Sequence, residues 1–292
     1  MKRILITGAN SYIGMSFENY LKQWPEAYHT DTLDMQDPSW KNFDFSGYDA
    51  VYHVAGIAHS DSGKISEEKA KLYYAVNTDL AIETARAAKA AGVKQFIYMS
   101  SAIVYGSSAP VGRDKHITRD TQPAPVNSYG DSKLQAELGL LPMEEETFRV
   151  VILRPPMIYG RNSKGNYPVL SKLAQKLPVF PAVSNRRSML YIENLVEFVR
   201  LIIDHEERGI FWPQNEQYTN TSEMVSLIAA AHGKKILLIP GLTWALKLMG
   251  CFTGLVDKAF GSLTYDIEMS RYSVPYCRKT LEESIQETEG IQ

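Results

Sequence analysis

A tyrosine and a lysine lie four residues apart in segment 129–133 (YGDSK), which has the pattern of a helix start. Four residues are about one helical turn, so the side chains of Tyr129 and Lys133 fall on one face and can reach the same ligand. A phenol with an ordinary pKa near 10 is a poor base at neutral pH, and a neighbouring ammonium group lowers that pKa by favouring the phenolate. The pair is therefore a candidate for proton transfer, although the same spacing also occurs on solvated helix faces.

Composition limits the classes of protein to which the chain can belong. Its 292 residues, 45% of them hydrophobic, are enough for one large core and a smaller second lobe. The 31 Lys plus Arg against 33 Asp plus Glu give no basic excess and argue against a nucleic-acid binder. Cys251 and Cys277 have no metal-ligand spacing, so no metal site is expected. The short apolar run after Met1 and the lack of about 18 uninterrupted apolar residues predict a cytoplasmic protein without a transmembrane segment.

The first residues form a strand-turn-helix pattern of the kind that binds the pyrophosphate of a dinucleotide. An apolar strand, residues 3–7, leads through the turn 8–14 (GANSYIG) into a helix that is predicted to continue to about Gln23. Unpaired N–H groups at a helix start attract phosphate, and glycines permit close approach. Ser11 stands where the pattern T-G-x-x-G-x-x-G has its middle glycine, but it is small and its hydroxyl can bond a phosphate oxygen. The expected contacts to a dinucleotide are Gly8, Asn10, Ser11, Tyr12, Ile13 and Gly14.

Acidic and small residues at the ends of the next two strands extend this interpretation. Asp31 and Asp34 lie in a strand-like stretch, residues 27–35, at the distance where dinucleotide sites place a carboxylate on the ribose. Either aspartate fits, and no Arg follows closely, which favours NAD over its 2′-phosphorylated form. Ala55 and Gly56 end the following strand and leave room for a ligand.

Strands and helices alternate through the first half of the chain. Helices are predicted over 66–91, which contains Asn77, and over 129–146; strands are predicted over 95–99 and 149–153. This alternation predicts an α/β fold with a doubly wound parallel sheet and with ligands at the carboxyl ends of its strands.

The second half has shorter elements. Arg186 and Arg187 precede a strand-to-helix turn, where paired guanidinium groups can hold a diphosphate or face solvent. Segment 236–263 is predicted to form short apolar helices that pack against the body. We expect a dinucleotide-binding domain in residues 1–160 and 187–212, and a smaller mixed substrate-binding lobe in residues 161–186 and 213–292.

In their order and spacing, these motifs resemble the extended short-chain dehydrogenase/reductase family, in its nucleotide-sugar epimerase/dehydratase branch, and within it the UDP-glucose 4-epimerase-like members. The motifs are TGANSYIG, HVAG, Asn77, SSAIVYG, YGDSK and RPPMIYG. The resemblance implies a Rossmann-type fold and a catalytic trio of Ser101, Tyr129 and Lys133. It further implies NAD contacts from Ala55, Gly56, Asn77, Tyr129, Lys133 and Pro155. Substrate contacts are implied for Ser101, Ala102, Tyr129, Pro156, Met157 and Arg187.

The resemblance also implies a reaction, the C4 epimerisation of a nucleotide-activated hexose such as UDP-glucose, UDP-galactose or an N-acetylated form. Ala102 and Ile103 replace the Asp-Glu pair with which related dehydratases eliminate water, so a dehydratase is not expected. An NAD(P)H-dependent reductase of a 4-keto-6-deoxy sugar and a non-catalytic dinucleotide-binding protein remain alternatives. The C-terminal region resembles relatives in bacterial surface-polysaccharide biosynthesis, some of which act on polyprenyl-linked sugars. If this chain acted on such a sugar, its apolar segment 236–263 would be expected to rest on a membrane surface instead of packing against the body. Relatives dimerise through helices, which here would be residues 66–91 and 129–146.

Overall fold

A computed structural model describes residues 1–57, 65–250 and 254–290. Cys251 lies outside these residues. The strands are β1 Lys2–Thr7, β2 Tyr28–Leu33, β3 Ala50–His53, β4 Gln95–Met99, β5 His116–Ile117, β6 Arg149–Leu153, β7 Met157–Tyr159, β8 Val179–Pro181, β9 Met189–Tyr191, β10 Gly209–Phe211, β11 Leu237–Ile239 and β12 Thr264–Tyr265. The α-helices are α1 Tyr12–Leu21, α2 Glu67–Tyr73, α3 Leu80–Ala90, α4 Ser128–Leu140, α5 Asn166–Lys176, α6 Ile192–Asp204, α7 Thr221–Ala231, α8 Thr243–Gly250, α9 Gly254–Phe260 and α10 Leu281–Glu289.

Six strands form one parallel sheet in the order β10-β6-β4-β3-β1-β2. The chain runs from β1 outward to β2 and then returns to place β3 on the other side of β1. The strand order therefore reverses between β1 and β3, which is where open α/β sheets form a crevice at their carboxyl ends. This arrangement confirms the predicted doubly wound, Rossmann-type parallel sheet.

The central strands are buried because helices cover both faces of the sheet. Successive residues Ile4, Leu5 and Ile6 of β1 have no exposed surface, and neither do Phe96 and Ile97 of β4. Side chains of consecutive residues point to opposite faces of a strand, so continuous burial requires cover on both sides. The unbroken apolar runs of the sequence reflect this double cover.

The long helix predicted over residues 66–91 is present but contains a defect. A π-helical segment, Tyr74–Asp79, separates α2 from α3 and contains Asn77. Such bulges occur mostly at functional sites, since the extra residue changes the direction of the side chains on one turn.

The helix expected over residues 129–146 is shorter than predicted. Asn127 is the N-cap of helix α4, and its side chain accepts from the N–H of Gly130. The helix ends at Leu140 and is followed by a 3₁₀ turn, Leu141–Met143. Pro142 has no N–H for the helical hydrogen-bond ladder and clashes with the preceding turn, so the α-helix cannot continue through it.

The chain divides into two compact units. The first comprises Met1–Gly106, Pro123–Pro155 and Leu195–Pro213. The second comprises Ser107–Gln122, Pro156–Asn194 and Gln214–Gln292. Residues 107–122, 156–160 and 187–194, which the sequence-based division places in the dinucleotide-binding domain, thus lie in the second unit. Among the described residues, no helix has the length and apolar character needed to cross a membrane.

Within the second unit, segment 236–263 has an inner and an outer side. Leu246 and Val256 are buried in a small apolar cluster with Val111 and Val183. The expected packing against the body is therefore present, but other apolar side chains of this segment remain exposed.

Candidate active site

Ser101, Tyr129 and Lys133 meet at the carboxyl end of β4 in the first unit. Ser101 lies two residues beyond β4, and its hydroxyl acts on the phenol of Tyr129, in the first turn of α4, in the direction that lowers the pKa of the phenol. Lys133 lies one turn further along the same helix, and its Nζ donates to the main-chain oxygen of Met99, the last residue of β4, at 2.9 Å. The hydroxyl, phenol and ammonium groups of the predicted trio are thus brought to one strand end.

Burial dominates the electrostatics of this pair. It raises the pKa of Tyr129 to about 12, and the hydrogen bond from Ser101 only partly opposes that shift. It also lowers the pKa of Lys133 to about 8, although the Glu137 carboxylate acts in the opposite direction. Burial thus outweighs the lowering of the Tyr129 pKa that was expected from Lys133, and the net shift is upward. The hydration energy that a buried phenolate loses is larger than the stabilisation that neighbouring groups give it.

The two neighbouring serines have different partners, which separates their roles. Ser101 caps the short 3₁₀ helix Ala102–Tyr105 by accepting from the N–H of Ile103 at 3.3 Å, and it bonds Tyr129. Ser100 is buried and donates its hydroxyl hydrogen to the carboxylate of Glu137. Of the two serines, Ser101 is the one that acts on the phenol of Tyr129.

A buried ion pair that the sequence reasoning missed lies behind the trio. Glu137, one turn after Lys133 in α4, accepts from Nε of Arg154 at 3.1 Å and from its Nη2 at 2.5 Å. The remaining Nη1 donates to Tyr105 Oη at 2.6 Å, and Trp212 Nε1 donates to the same oxygen at 2.8 Å. The spacing of Lys133 and Glu137, four residues on one helix face, was the signal available in the sequence.

The predicted pyrophosphate turn has the backbone geometry that its glycines suggested. Gly8 has a φ of +102°, and a Cβ there would come within 2.8 Å of the backbone nitrogen of Ala55. Asn10 also has a positive φ, 62°, which asparagine tolerates better than most residues. Tyr12 and Ile13 are the first residues of α1, so its unpaired N–H groups face the end of the turn.

Ser11 is the N-cap of α1. Its Oγ accepts from the N–H of Gly14 at 3.1 Å, which satisfies one of the donors at the helix start. The hydroxyl hydrogen of Ser11 remains available as a donor. Serine at this position can therefore make a polar contact that glycine could not make.

The structure separates the two candidate ribose aspartates. Leu33, the last residue of β2, accepts hydrogen bonds from the first N–H groups of the glycine turn, and Asp34 directly follows it. Asp31 lies three residues earlier, where its carboxylate accepts from Tyr48 Oη at 2.8 Å and is 3.5 Å from Arg3. Asp34 is thus beside the turn and Asp31 is not.

Asn77 is buried, and its side chain is hydrogen-bonded to the backbone of the segment that follows β3. Its Oδ1 accepts from the N–H of Ile57 at 2.9 Å, and its Nδ2 donates to Ile57 O at 3.2 Å and to Ser132 Oγ at 3.1 Å. A Cβ on Gly56 would lie 3.0 Å from Asn77 Oδ1 and 3.2 Å from Lys133 Nζ. A side chain at position 56 would fill the space beside the ammonium group, so the small residue fits a ligand that reaches Lys133 there.

The remaining candidates fall in both units. Pro155 is buried in the first unit, and its oxygen accepts from the N–H of Ala102 at 2.9 Å. Pro156 belongs to the second unit, as does Met157, which begins β7 and pairs with Met189 of β9.

The two adjacent arginines of the second unit differ in environment. Arg187 is partly exposed, its Nη1 donates to the oxygen of Ala259 at 3.2 Å, and burial lowers its pKa to about 10. The side chain of Arg186 is exposed and its guanidinium lies 4.7 Å from the ring centre of Tyr218. Arg187 has the more desolvated charge, which is the condition in which a cation interacts most strongly with an anion.

Comparison with known proteins assigns the family. Residues 4–212 match the sequence model of the NAD dependent epimerase/dehydratase family. A UDP-glucose 4-epimerase of Vibrio cholerae is 33% identical over 253 residues, which cover 82% of this chain and 75% of that protein. An N-acetyl-alpha-D-glucosaminyl-diphospho-ditrans,octacis-undecaprenol 4-epimerase of Escherichia coli O157:H7 is 28% identical over 256 residues, covering 80% and 73%. The chain belongs to the NAD-dependent epimerase/dehydratase family, as its motifs indicated.

Solved structures agree with the fold. A UDP-glucuronic acid 4-epimerase from Bacillus cereus in complex with NAD has a TM-score of 0.73 at 17% identity, covering 99% of this chain and 97% of that chain. RMD from Pseudomonas aeruginosa complexed with NADPH has a TM-score of 0.75 at 19% identity, with the same coverage. The architecture is therefore one that proteins with either form of the cofactor share.

The buried ammonium of Lys133 predicts a pH dependence of stability. Its pKa is about 8 in the folded protein and 10.5 for an ordinary lysine, so between these values the unfolded chain binds more protons. The free energy of unfolding should therefore rise with pH in this range. Between pH 7 and 9.5 we expect the wild type to gain about 2 kcal/mol relative to Lys133→Met, measured by urea unfolding. Lys41→Met, at an exposed site, serves as the control; parallel pH profiles of wild type and Lys133→Met would contradict the assignment.

Proposed function

We propose that the protein is an NAD-dependent C4 epimerase of a nucleotide-activated hexose, such as UDP-glucose and UDP-galactose or their N-acetylated forms. The observation that carries the proposal is the convergence of Ser101, Tyr129 and Lys133 at the carboxyl end of β4, where Nζ of Lys133 donates to Met99 O at 2.9 Å. The sequence similarity to the Vibrio cholerae UDP-glucose 4-epimerase supports this reaction, and Ala102 and Ile103 argue against elimination of water. The first unit would bind the cofactor and the second the substrate.

The chemistry follows from the side chains at the end of β4. When bound, NAD supplies a hydride acceptor that can return the hydride to either face of the sugar. Tyr129 as phenolate takes the proton of the C4 hydroxyl, and Ser101 holds that oxygen by a hydrogen bond while it becomes a ketone. Lys133 would bond the nicotinamide ribose of the bound cofactor, and its charge would favour the phenolate. After the 4-keto sugar has turned over, Tyr129 returns the proton and the opposite C4 configuration results.

The choice of NAD over NADP rests on Asp34. A carboxylate at the end of β2, beside the phosphate-binding turn, can accept hydrogen bonds from both ribose hydroxyls. The same negative charge repels a 2′-phosphate. The turn itself fits a pyrophosphate, because Gly8 leaves the space that any Cβ would take from the backbone of Ala55.

One assay distinguishes the candidate reactions. We expect the purified protein to interconvert UDP-glucose and UDP-galactose, or the N-acetylated pair, with no net change in cofactor, as followed by chromatography of the sugars. Activity only with a 4-keto sugar and reduced cofactor would identify a reductase instead. Conversion of a polyprenyl-diphosphate sugar, but not of UDP-sugars, would reject the nucleotide carrier, and cofactor binding without turnover of any sugar would reject an enzyme.

Removal of the phenolic oxygen tests the catalytic assignment. We expect Tyr129→Phe to keep the affinity for NAD and to lower turnover by a factor on the order of 10² or more, the scale of positioned acid/base catalysis. Steady-state rates and calorimetric NAD titration give the two quantities. Tyr74→Phe is the matched control, because it also removes a phenolic oxygen that contacts α4. The Oη of Tyr74 donates to Asp131 of that helix at 2.6 Å. Equal turnover in Tyr129→Phe and wild type would refute the role of Tyr129.

The adjacent arginines provide a paired test of diphosphate binding. If Arg187 holds the substrate diphosphate, Arg187→Ala should raise the Kd for UDP at least tenfold while leaving the Kd for NAD within a factor of about two. Arg186→Ala, which removes an exposed cation from the neighbouring position, should change neither. Calorimetric titration with UDP and NAD measures both constants. A similar loss of both ligands in Arg187→Ala would show that Arg187 has a structural role.

A further inference from the structure

Helix α8 of the second unit exposes an apolar face. Trp244 and Leu248 are 68% and 56% exposed, and they lie four residues apart on the same side of the helix. Leu246, on the opposite side, is buried with Val183. One face of the helix therefore packs in the apolar cluster, and the other exposes large apolar side chains. Exposed apolar side chains of this size are typical of interaction surfaces.

The strand pair that precedes this helix is also apolar and exposed. Leu237 of β11 pairs with Val179 of β8, and they are 65% and 41% exposed. Paired residues of neighbouring strands point to the same face of the sheet. Leu177, two residues before Val179, is 41% exposed as well.

The same segments carry positive charge and no negative charge. Residues 147–192 and 224–256, which contain β8, β11 and α8, include no Asp or Glu. Their exposed lysines on the elements around the apolar side chains are Lys172, Lys176, Lys234, Lys235 and Lys247. The whole chain has a formal net charge of −2, so the excess of positive charge in these two stretches is local.

We propose that these side chains form a lipid-docking surface that rests on an anionic membrane. The surface consists of Leu177, Val179, Leu237, Trp244 and Leu248 with the five lysines given above. Tryptophan and leucine insert at the boundary between head groups and acyl chains, and lysines add attraction to anionic head groups. A second copy of the chain would place like charges opposite each other across a two-fold axis, which opposes pairing. The proposal is independent of the reaction proposed above.

The experiment measures binding of the full-length protein to vesicles. Wild type should sediment with vesicles that contain phosphatidylglycerol but not with pure phosphatidylcholine, and raised salt should weaken the binding. Partitioning should fall at least tenfold in Trp244→Ser/Leu248→Ser and in Lys176→Gln/Lys234→Gln/Lys235→Gln. The control Val126→Ser/Leu138→Ser removes two exposed apolar side chains of the first unit and should bind as wild type.

Tryptophan fluorescence adds a local readout. Trp244 is more exposed than Trp24, so insertion should shift the emission to shorter wavelength, and Trp244→Phe should abolish the shift while leaving sedimentation largely intact. Lack of binding to anionic vesicles by folded wild type, or unchanged binding in both multiple variants, would overturn the proposal. A wild-type dimer in solution that Trp244→Ser/Leu248→Ser converts to monomer would also overturn it, because the occupant would then be a second copy.

Discussion

The arrangement of the candidate active site depends on one buried carboxylate. Glu137 connects helix α4 to the ends of two adjacent strands, because it bonds Ser100 after β4 and Arg154 after β6. Glu137 is fully buried and Arg154 nearly so, so loss of either partner would leave an uncompensated charge in the core. Such a pair is weak evidence for stability but strong evidence for fixed geometry. It holds the helix face that carries Tyr129 and Lys133 against the strand end that carries Ser101.

In that geometry, burial opposes the charged forms of Tyr129 and Lys133, while neighbouring polar groups favour them. Burial favours the neutral phenol of Tyr129 and also the neutral amine of Lys133, since both charged forms lose hydration. Glu137 supports the ammonium, and with a pKa of about 8 Lys133 stays mostly charged at neutral pH. The hydroxyl of Ser101 favours the phenolate of Tyr129, but burial outweighs its effect. A ligand with positive charge near the phenol would lower the pKa of Tyr129.

The sequence predicted those features that depend on local pattern, and missed those that depend on partners distant in the chain. The parallel sheet, the turn at Gly8 and the meeting of Ser101 with Tyr129 follow from apolar runs and motif order. The partners of Glu137 and Asp31 do not, because Arg154 and Tyr48 each lie 17 residues away and outside the element of the carboxylate that they bond. The pKa of Tyr129 was predicted in the wrong direction because spacing reveals a neighbouring charge but not the degree of burial. The exposed face of α8 could likewise not be predicted, since composition alone does not distinguish buried from exposed apolar residues.

Ser11 shows why departure from a glycine pattern does not remove the site. The glycines of the turn meet two separate requirements: Gly8 needs a positive φ and a close approach to Ala55, whereas a Cβ on Gly14 would lie 2.6 Å from Ser11 Oγ. Ser11 itself has a φ of −71°, which every L-residue adopts without strain. Serine is also among the most favourable N-cap residues, so it stabilises the helix whose positive end faces the turn. The backbone thus requires glycine at position 8, neighbouring side chains favour glycine at position 14, and position 11 needs only a small capping residue.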